Sequence, residues 1–344
     1  MTVVMRPVRV GDTDALYALA EQTGTGLTTL PRDRDALAAK IAASEASFAA
    51  DVDEPGEEHY LFVLVDGATD AVIGTSGLFA TVGLSKPFYS YRLLHLTQVS
   101  HDPPMQVDTR LLQLVNDYAG ATEIGSLFLH RDHRGGANGR LLSKGRYLMI
   151  AACPDRFAPR VMAEIRGWVD ADGQSPFWEA IGRQFFGMEY TEADRISGMG
   201  NSQFIADLMP KFPIYTNLLP QEAREVIGKP HDGARAAIRL LEQEGFRFAG
   251  AVDIFDAGPC LEAPRDQIAT VRQATRARFV GVTEAAGPDY LIANPRIDRF
   301  RITASQLQDG PDIVALPEDA IAALELAEGD AVIYAPLMPP ERGR

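Results

Sequence analysis

The chain opens on VVMRPVRV at 3–10, where apolar and polar positions alternate with the period of two that half-buries a strand. Asp12 or Thr13 then stands where a helix cap belongs, ahead of Leu16, Leu19 and Ala20 on one helical face. The Gly- and Thr-rich stretch TGTGLTTLP, 23–31, reads equally as a loop that touches a ligand or as a plain connector. An Ala-rich helical run follows from Arg32 to about Ala49, then a charged break at 51–58 that contains Pro and Gly. YLFVLVD and AVIGTSGLFA are two apolar runs across a Gly-containing turn, which predicts a hairpin.

Residues 88–100 continue the strand texture, and IGSLFLH at 124–130 has the unbroken apolar character of a central strand. A helix follows almost at once. RVMAEIRGWVD, 160–170, predicts another central strand, and SPFWEAIGRQFF, 175–186, a helix capped by Ser175 with Pro176 at its first position. Helical stretches at 202–209, 221–228 and 233–244 lead to a strand at 246–256. Beyond about 264 the texture becomes short strands broken by Gly, Pro and Asp: ARFVGVTE, YLIANP, FRITAS and DAVIYAPL. The order predicts an α/β (α+β) protein with a mixed central sheet flanked by helices over 1–264, and a small β-rich carboxy-terminal lobe over 265–344. The last residues, MPPERGR, are expected to fray.

Composition narrows the function. The 344 residues are 46% hydrophobic and 23% charged, a globular balance with room for about two lobes. The net charge of -14 disfavours nucleic acid as a partner. No stretch approaches the ~20 apolar residues of a membrane helix, and the start lacks a secretory h-region, so a cytoplasmic protein is expected. Cys153 and Cys260 are too few for a disulfide framework and have no metal-ligand spacing, so both are expected to be reduced packing residues and no metal is expected.

Against that acidic background, the stretch from Ser126 to Ala152 gathers Arg131, Arg134, Arg140, Lys144 and Arg146. It reads as a buried strand, a turn containing Gly135, Gly136 and Gly139, and a helix with Leu141, Gly145, Leu148, Met149 and Ala152 on one face. Glycines let backbone amides share one concavity, and the helix adds its positive end, an arrangement that suits a pyrophosphate. The glycines do not follow the dinucleotide pattern GxGxxG.

These residues resemble the acyl-CoA loop of the GNAT superfamily, in which Gln or Arg is followed by two residues, Gly, one residue, and Gly or Ala. The aligned positions are His133, Gly136 and Asn138, so the first and last depart from the pattern. The chain more closely resembles the arginine N-succinyltransferase family, in which an Asn-Gly pair fills this loop, here Asn138-Gly139. The resemblance runs through TGTGLTTLP, NGRLLSK, AEIRG, DGQSPFWEAIGRQFFGMEY, FIADLMPKFPIYTNLLP, EAREVIGKPH and GFRFAGAVDIFDAGP, most of the first ~265 residues. Cys260, Phe88 and Ser90 stand where the family has Thr, Trp and Asn.

What the resemblance implies is a GNAT-like fold and transfer of a succinyl group from succinyl-CoA, a co-substrate with no permanently bound cofactor, to the α-amino group of L-arginine. It implies proton donation by His231, which ends the EAREVIGKPH block, and a succinyl-CoA contact at Leu127. It also implies CoA binding by the Gly-rich loop, including Arg134, and a homo- or hetero-oligomer. Acyl transfer to an amine needs a neutral amine, an oxyanion donor and a proton for the departing thiolate. The succinyl carboxylate needs a cation, for which Arg92 and Arg166 are the candidates, and the acceptor's guanidinium needs a carboxylate, for which Glu164 is. The alternatives are an ornithine or other amino-acid N-acyltransferase, and a non-catalytic acyl-CoA-binding subunit. A hydrolase is discounted because no Gly-x-Ser-x-Gly elbow is present.

Overall fold

The computed structural model describes residues 2–23, 29–198, 203–284 and 286–338. Most of the expected ligand-touching loop at 23–31 and of the frayed end therefore lies outside the described residues. In chain order the elements begin with β1 (Val3–Pro7), α1 (Thr13–Ala20), α2 (Arg34–Ala49), β2 (His59–Asp66) and β3 (Ala71–Phe79). A long hairpin, β4 (Ser90–His101) and β5 (Pro104–Val115), precedes β6 (Thr122–Leu129), α3 (Asn138–Ala152) and β7 (Arg160–Glu164). Short helices follow: α4 (Pro176–Ala180), α5 (Gly182–Phe186), α6 (Tyr190–Gly198) and α7 (Gln203–Leu208). Then come β8 (Ile214–Tyr215), α8 (Gln221–Glu225), α9 (Arg235–Glu244), β9 (Arg247–Asp253), β10 (Pro259–Pro264) and α10 (Ala269–Gln273). The chain closes with β11 (Thr275–Val282), β12 (Tyr290–Asn294), β13 (Arg301–Ser305), β14 (Gln308–Gly310), β15 (Ile313–Leu316), α11 (Glu318–Leu324) and β16 (Ala331–Pro336).

Among the described residues, sixteen strands join one mixed sheet in the order β14-β15-β11-β16-β12-β13-β1-β2-β3-β6-β7-β10-β9-β4-β5-β8. The alternation of β2 explains its two coats, because successive side chains of a strand point to opposite faces. Tyr60, Phe62 and Leu64 enter the core beneath α3, while Leu61, Val63 and Val65 meet Leu16, Leu19, Leu37 and Ile41 of α1 and α2. Helix α3 lies close because Gly145 has no side chain, and a Cβ there would stand 2.5 Å from the Met5 sulfur. A second core around Trp178, Phe177, Tyr91 and Phe255 supports the β9–β10 turn. The strands after residue 274 attach through β13, which pairs antiparallel with β1. No helix among the described residues is long and apolar enough to cross a membrane.

Three expectations need correction. The strand expected over 160–170 stops at Glu164, because the chain beyond it leaves the ladder and forms a bridge between Gly167 and Pro230. The single helix expected over 175–186 is two, broken at Ile181, where Gly182 packs against the Trp178 ring so closely that a Cβ would stand 2.1 Å from it. Ser175 does cap it, accepting from Trp178 N. Residues 104–115, not anticipated as a strand, are the second arm of the hairpin, in continuous register from Ser90↔Val115 to His101↔Pro104.

Candidate active site

The sheet splits between β6 and β7. These strands run parallel but pair only at Thr122↔Val161 and Glu123↔Met162. Beyond that point β6 stays with β3, and β7 stays with β10, where Glu164 faces Cys260. At the same level β6 carries a bulge, its register against β3 shifting between Thr75 and Gly77, with Ser126 in the left-handed region at φ 53°. Leu127 follows the bulge, and its side chain packs against the core beneath α3. Its backbone runs along the split.

The loop after β6 leads to the amino end of α3. Gly135 has φ 93°, and no neighbouring atom lies within 4 Å of a Cβ built at Gly135 or Gly136. Ala137, the residue before the helix, offers no side-chain cap, so the first amides of α3, from Asn138, Gly139 and Arg140, are left for another acceptor. The Asn138 side chain donates instead to His133 O, 3.4 Å away. The positive charge here is thinner than the sequence suggested. Arg134 folds back, donating to Leu129 O at 3.0 Å and lying over the Phe128 ring. Lys144 is buried and donates to Pro336 O and Leu337 O beside Glu244. Arg146 is buried and ties α3 to β6 through Gly125 O at 3.3 Å. These two are internal fasteners, because α3 turns its buried face toward the sheet.

His231 is half-buried on the loop before α9. Its amide donates to Arg166 O at 2.9 Å, and its Nδ1 accepts from Gly233 N at 3.0 Å. An accepting Nδ1 assigns the neutral ring's proton to Nε2. Burial and the Arg166 guanidinium lower its pKa below the ordinary value, against smaller opposing effects of Asp232 and Asp256. Asp256 holds this region in place: its carboxylate accepts from Gly167 N and Gly258 N, each at 2.8 Å, and from the Tyr190 hydroxyl at 3.3 Å. Asp253 accepts from Phe255 N and Asp256 N, fixing the same turn.

Glu164 keeps contact with solvent yet is recessed among Asp253, Glu123 and Asp256. Crowding by protein atoms, then repulsion from those carboxylates, pushes its carboxyl well above the usual range. Burial raises Asp253 too, and pushes Glu123 up to about 7 despite the nearby Lys40. For Glu123 the sign follows from linkage. A carboxyl raised by folding costs nothing below pH 4.5, costs more as pH rises, and reaches its full penalty above about pH 7. Glu123→Gln is therefore expected to gain on the order of 3 kcal/mol relative to the parent between pH 4.5 and pH 8, measured by denaturant unfolding at both. Equal differences at the two pH values would sink this assignment.

The structure thus brings His231, Arg166, Glu164 and the backbone of Leu127 to one side of the fold, around the split and the β9–β10 turn. It does not gather Arg92, whose guanidinium is held by Asp117 and by Ala249 O at 2.6 Å, over the Tyr118 ring. Cys260 is buried and its thiol is pushed up by burial and the carboxylates around it, and Cys153 is likewise unpaired. Sequence reasoning missed Glu123, Asp253 and Asp256, although the spacing D-x-x-D-x-G over 253–258 is a turn signal that could have flagged the last two. A surface cleft of about 470 Å³ against β1 and α2 contains none of these residues.

Residues 3–270 match the family model described as arginine N-succinyltransferase beta subunit, and residues 275–336 match that for the beta subunit's carboxy-terminal domain. The chain is 42% identical over 342 residues to arginine N-succinyltransferase subunit beta of Pseudomonas aeruginosa, covering 99% of this chain and 100% of that one. It is 39% identical over 335 residues to the arginine N-succinyltransferase of Escherichia coli, covering 96% of each. Among solved structures, arginine/ornithine succinyltransferase subunit AI from Pseudomonas aeruginosa superposes with a TM-score of 0.90 at 36% identity, covering 98% of this chain and 99% of that one.

Proposed function

The chain belongs to the arginine N-succinyltransferase beta subunit family, and from that premise we propose that it transfers the succinyl group of succinyl-CoA to the α-amino group of L-arginine. The reading is carried by the family match over nearly the whole chain, taken with a split sheet that has His231 and Arg166 on one side and an uncapped helix start on the other.

In this reading the CoA diphosphate meets the amides of Asn138 and Gly139 beside Gly135, Gly136 and Arg134. The pantetheine arm enters the split and pairs with the Leu127 backbone. The neutral α-amine attacks the thioester carbonyl, the C–N bond forms, and the C–S bond breaks with its electron pair staying on sulfur. The His231 ring takes up the proton that the amine surrenders, and the imidazolium so formed gives its Nε2 proton to the departing sulfur and returns to neutral. Arg166 meets a substrate carboxylate, and Glu164 with its neighbouring carboxyls meets the guanidinium, whose charge favours their ionised form. Arg92, committed to Asp117, needs to leave that pair to take part. The division at 264/265, near where the two successive family models meet between 270 and 275, a cytoplasmic location, and an oligomeric state, which relatives named as subunits support, belong to the same proposal.

The test is thiol release from succinyl-CoA and acetyl-CoA with arginine, ornithine and lysine. The fastest release is expected from succinyl-CoA with arginine. The Pseudomonas aeruginosa relative described as an arginine/ornithine succinyltransferase makes ornithine the second acceptor to watch. Absence of release with every amino acid, while CoA still binds, would replace the enzyme by a non-catalytic acyl-CoA-binding subunit.

A further inference from the structure

Gly77 of β3 and Gly125 of β6 face each other in register, leaving a floor without side chains on the sheet face that α1 and α2 cover. A Cβ built on Gly77 would stand 3.2 Å from Ser126 Oγ and 3.4 Å from His59 Nε2, so these two polar atoms border the bare patch. One built on Gly125 would stand 3.4 Å from the Phe79 ring, 3.6 Å from Glu123 Oε1 and 3.7 Å from the Thr29 methyl. The His59 ring is held flat against Phe79, centroids 4.2 Å apart and planes 2° from parallel. Lys40 of α2 reaches the same place, its ammonium donating to Thr29 O at 3.2 Å.

Three of these groups are unsatisfied. Among the described residues, Thr29 Oγ1, His59 Nε2 and Ser126 Oγ are buried without a hydrogen-bond partner, and His59 and Ser126 are 7% and 1% exposed. Burying a polar atom without a partner is costly, and three such atoms around one ammonium form an arrangement that a ligand completes. Ser126 owes its direction to the bulge, whose left-handed backbone turns its side chain toward Gly77. The patch lies one residue from Leu127, and so beside the acyl thioester of the proposed reaction.

We infer that Lys40, His59, Ser126 and Thr29 form a receptor for a substrate carboxylate. The inference rests on the proposed succinyl transfer, in which two carboxylates must be held, the distal one of the succinyl group and the α-carboxylate of the acceptor. Arg166 beside His231 suits one, and this pocket takes the other. Hydroxyls, an imidazole and an ammonium supply the donors that a carboxylate requires. Glu123 at the rim tolerates a second carboxylate because its own carboxyl, at about 7, is partly protonated near neutral pH.

The experiment compares wild type, Lys40→Gln and Ser126→Gly, the glycine accepting the positive φ, with thermal unfolding as the check on folding. Each is assayed for thiol release with succinyl-CoA or butyryl-CoA as donor, and with arginine or argininamide as acceptor. Both variants are expected to lose about 10- to 100-fold in kcat/KM with the natural pair, the range for a lost hydrogen bond to a charged group. If the pocket holds the succinyl tail, that loss vanishes with butyryl-CoA. If it holds the acceptor's α-carboxylate, the loss vanishes with argininamide. Variants that match wild type on the natural pair, or that lose the same factor on every pair, overturn the pocket while the succinyl transfer stands. A wild type idle on every pair overturns the transfer itself and the pocket with it.

Discussion

Replacing His231 with alanine is expected to lower kcat by about 10² or more while the protein stays folded, because the ring supplies acid-base help and little else. Its fixed contacts are few. The amide bond to Arg166 O belongs to the backbone and survives the substitution, and the side chain loses only the Gly233 contact, a cap-like bond of about 1 kcal/mol. Steady-state kinetics with succinyl-CoA and arginine should therefore show the loss in kcat with KM for succinyl-CoA nearly unchanged. A kcat within threefold of wild type would remove His231 from the chemistry, and the proton for sulfur would have to come from solvent.

The second large effect is structural. Trp178→Ala should destabilise the fold by about 3–5 kcal/mol, the range for deleting a buried tryptophan from a close-packed core. Trp178 is fully buried, stacks on Phe186 and Phe255 with centroids 5.4 and 5.5 Å away, and donates its indole N–H to Met188 O at 3.0 Å. Phe255 sits inside the turn whose Asp253 and Asp256 orient the loops carrying Arg166 and His231. The variant is therefore also expected to lose activity at temperatures where it remains folded. Chemical denaturation gives the stability and the thiol assay gives the activity. A midpoint shift worth less than 1 kcal/mol would mean that the surrounding rings collapse into the space.

Much of the fold could be read from residue order, and its failures have physical causes. Strands with two buried faces, such as His59–Asp66, announce themselves as continuous apolar runs, and Ser175-Pro176 marked a helix start. The break at Ile181 could not be seen, because it is imposed by Gly182 meeting a tryptophan ring one helical turn earlier. The hairpin arm Pro104–Val115 was missed because its first half is exposed on both faces and shows no hydrophobic period. At the site, His231 and the glycine loop stood out only through motifs. Lys40, His59 and Ser126 come from a helix and two strands, and only the paired glycines of β3 and β6 bring them together. Reading Lys144 and Arg146 as cofactor charge failed because helix phase, hidden in a run of cations, decides which of them face the interior.

The pairing of β1 with β13 also bears on how the protein is made. Val4 lies opposite Thr303, whose hydroxyl donates to Val3 O, so one edge of β1 is closed by residues synthesised about 300 positions after it. At ~5–20 residues per second that interval is roughly 15 to 60 seconds. Through it the nascent chain holds β1 by β2 alone, and α3 packs over Met5 before Ile302 arrives to complete the contact with Gly145. A ribosome stalled before residue 300 leaves a sheet with an open edge, which recruits other strands. The β-rich segment after residue 274 is thus the piece of the chain whose arrival closes this edge.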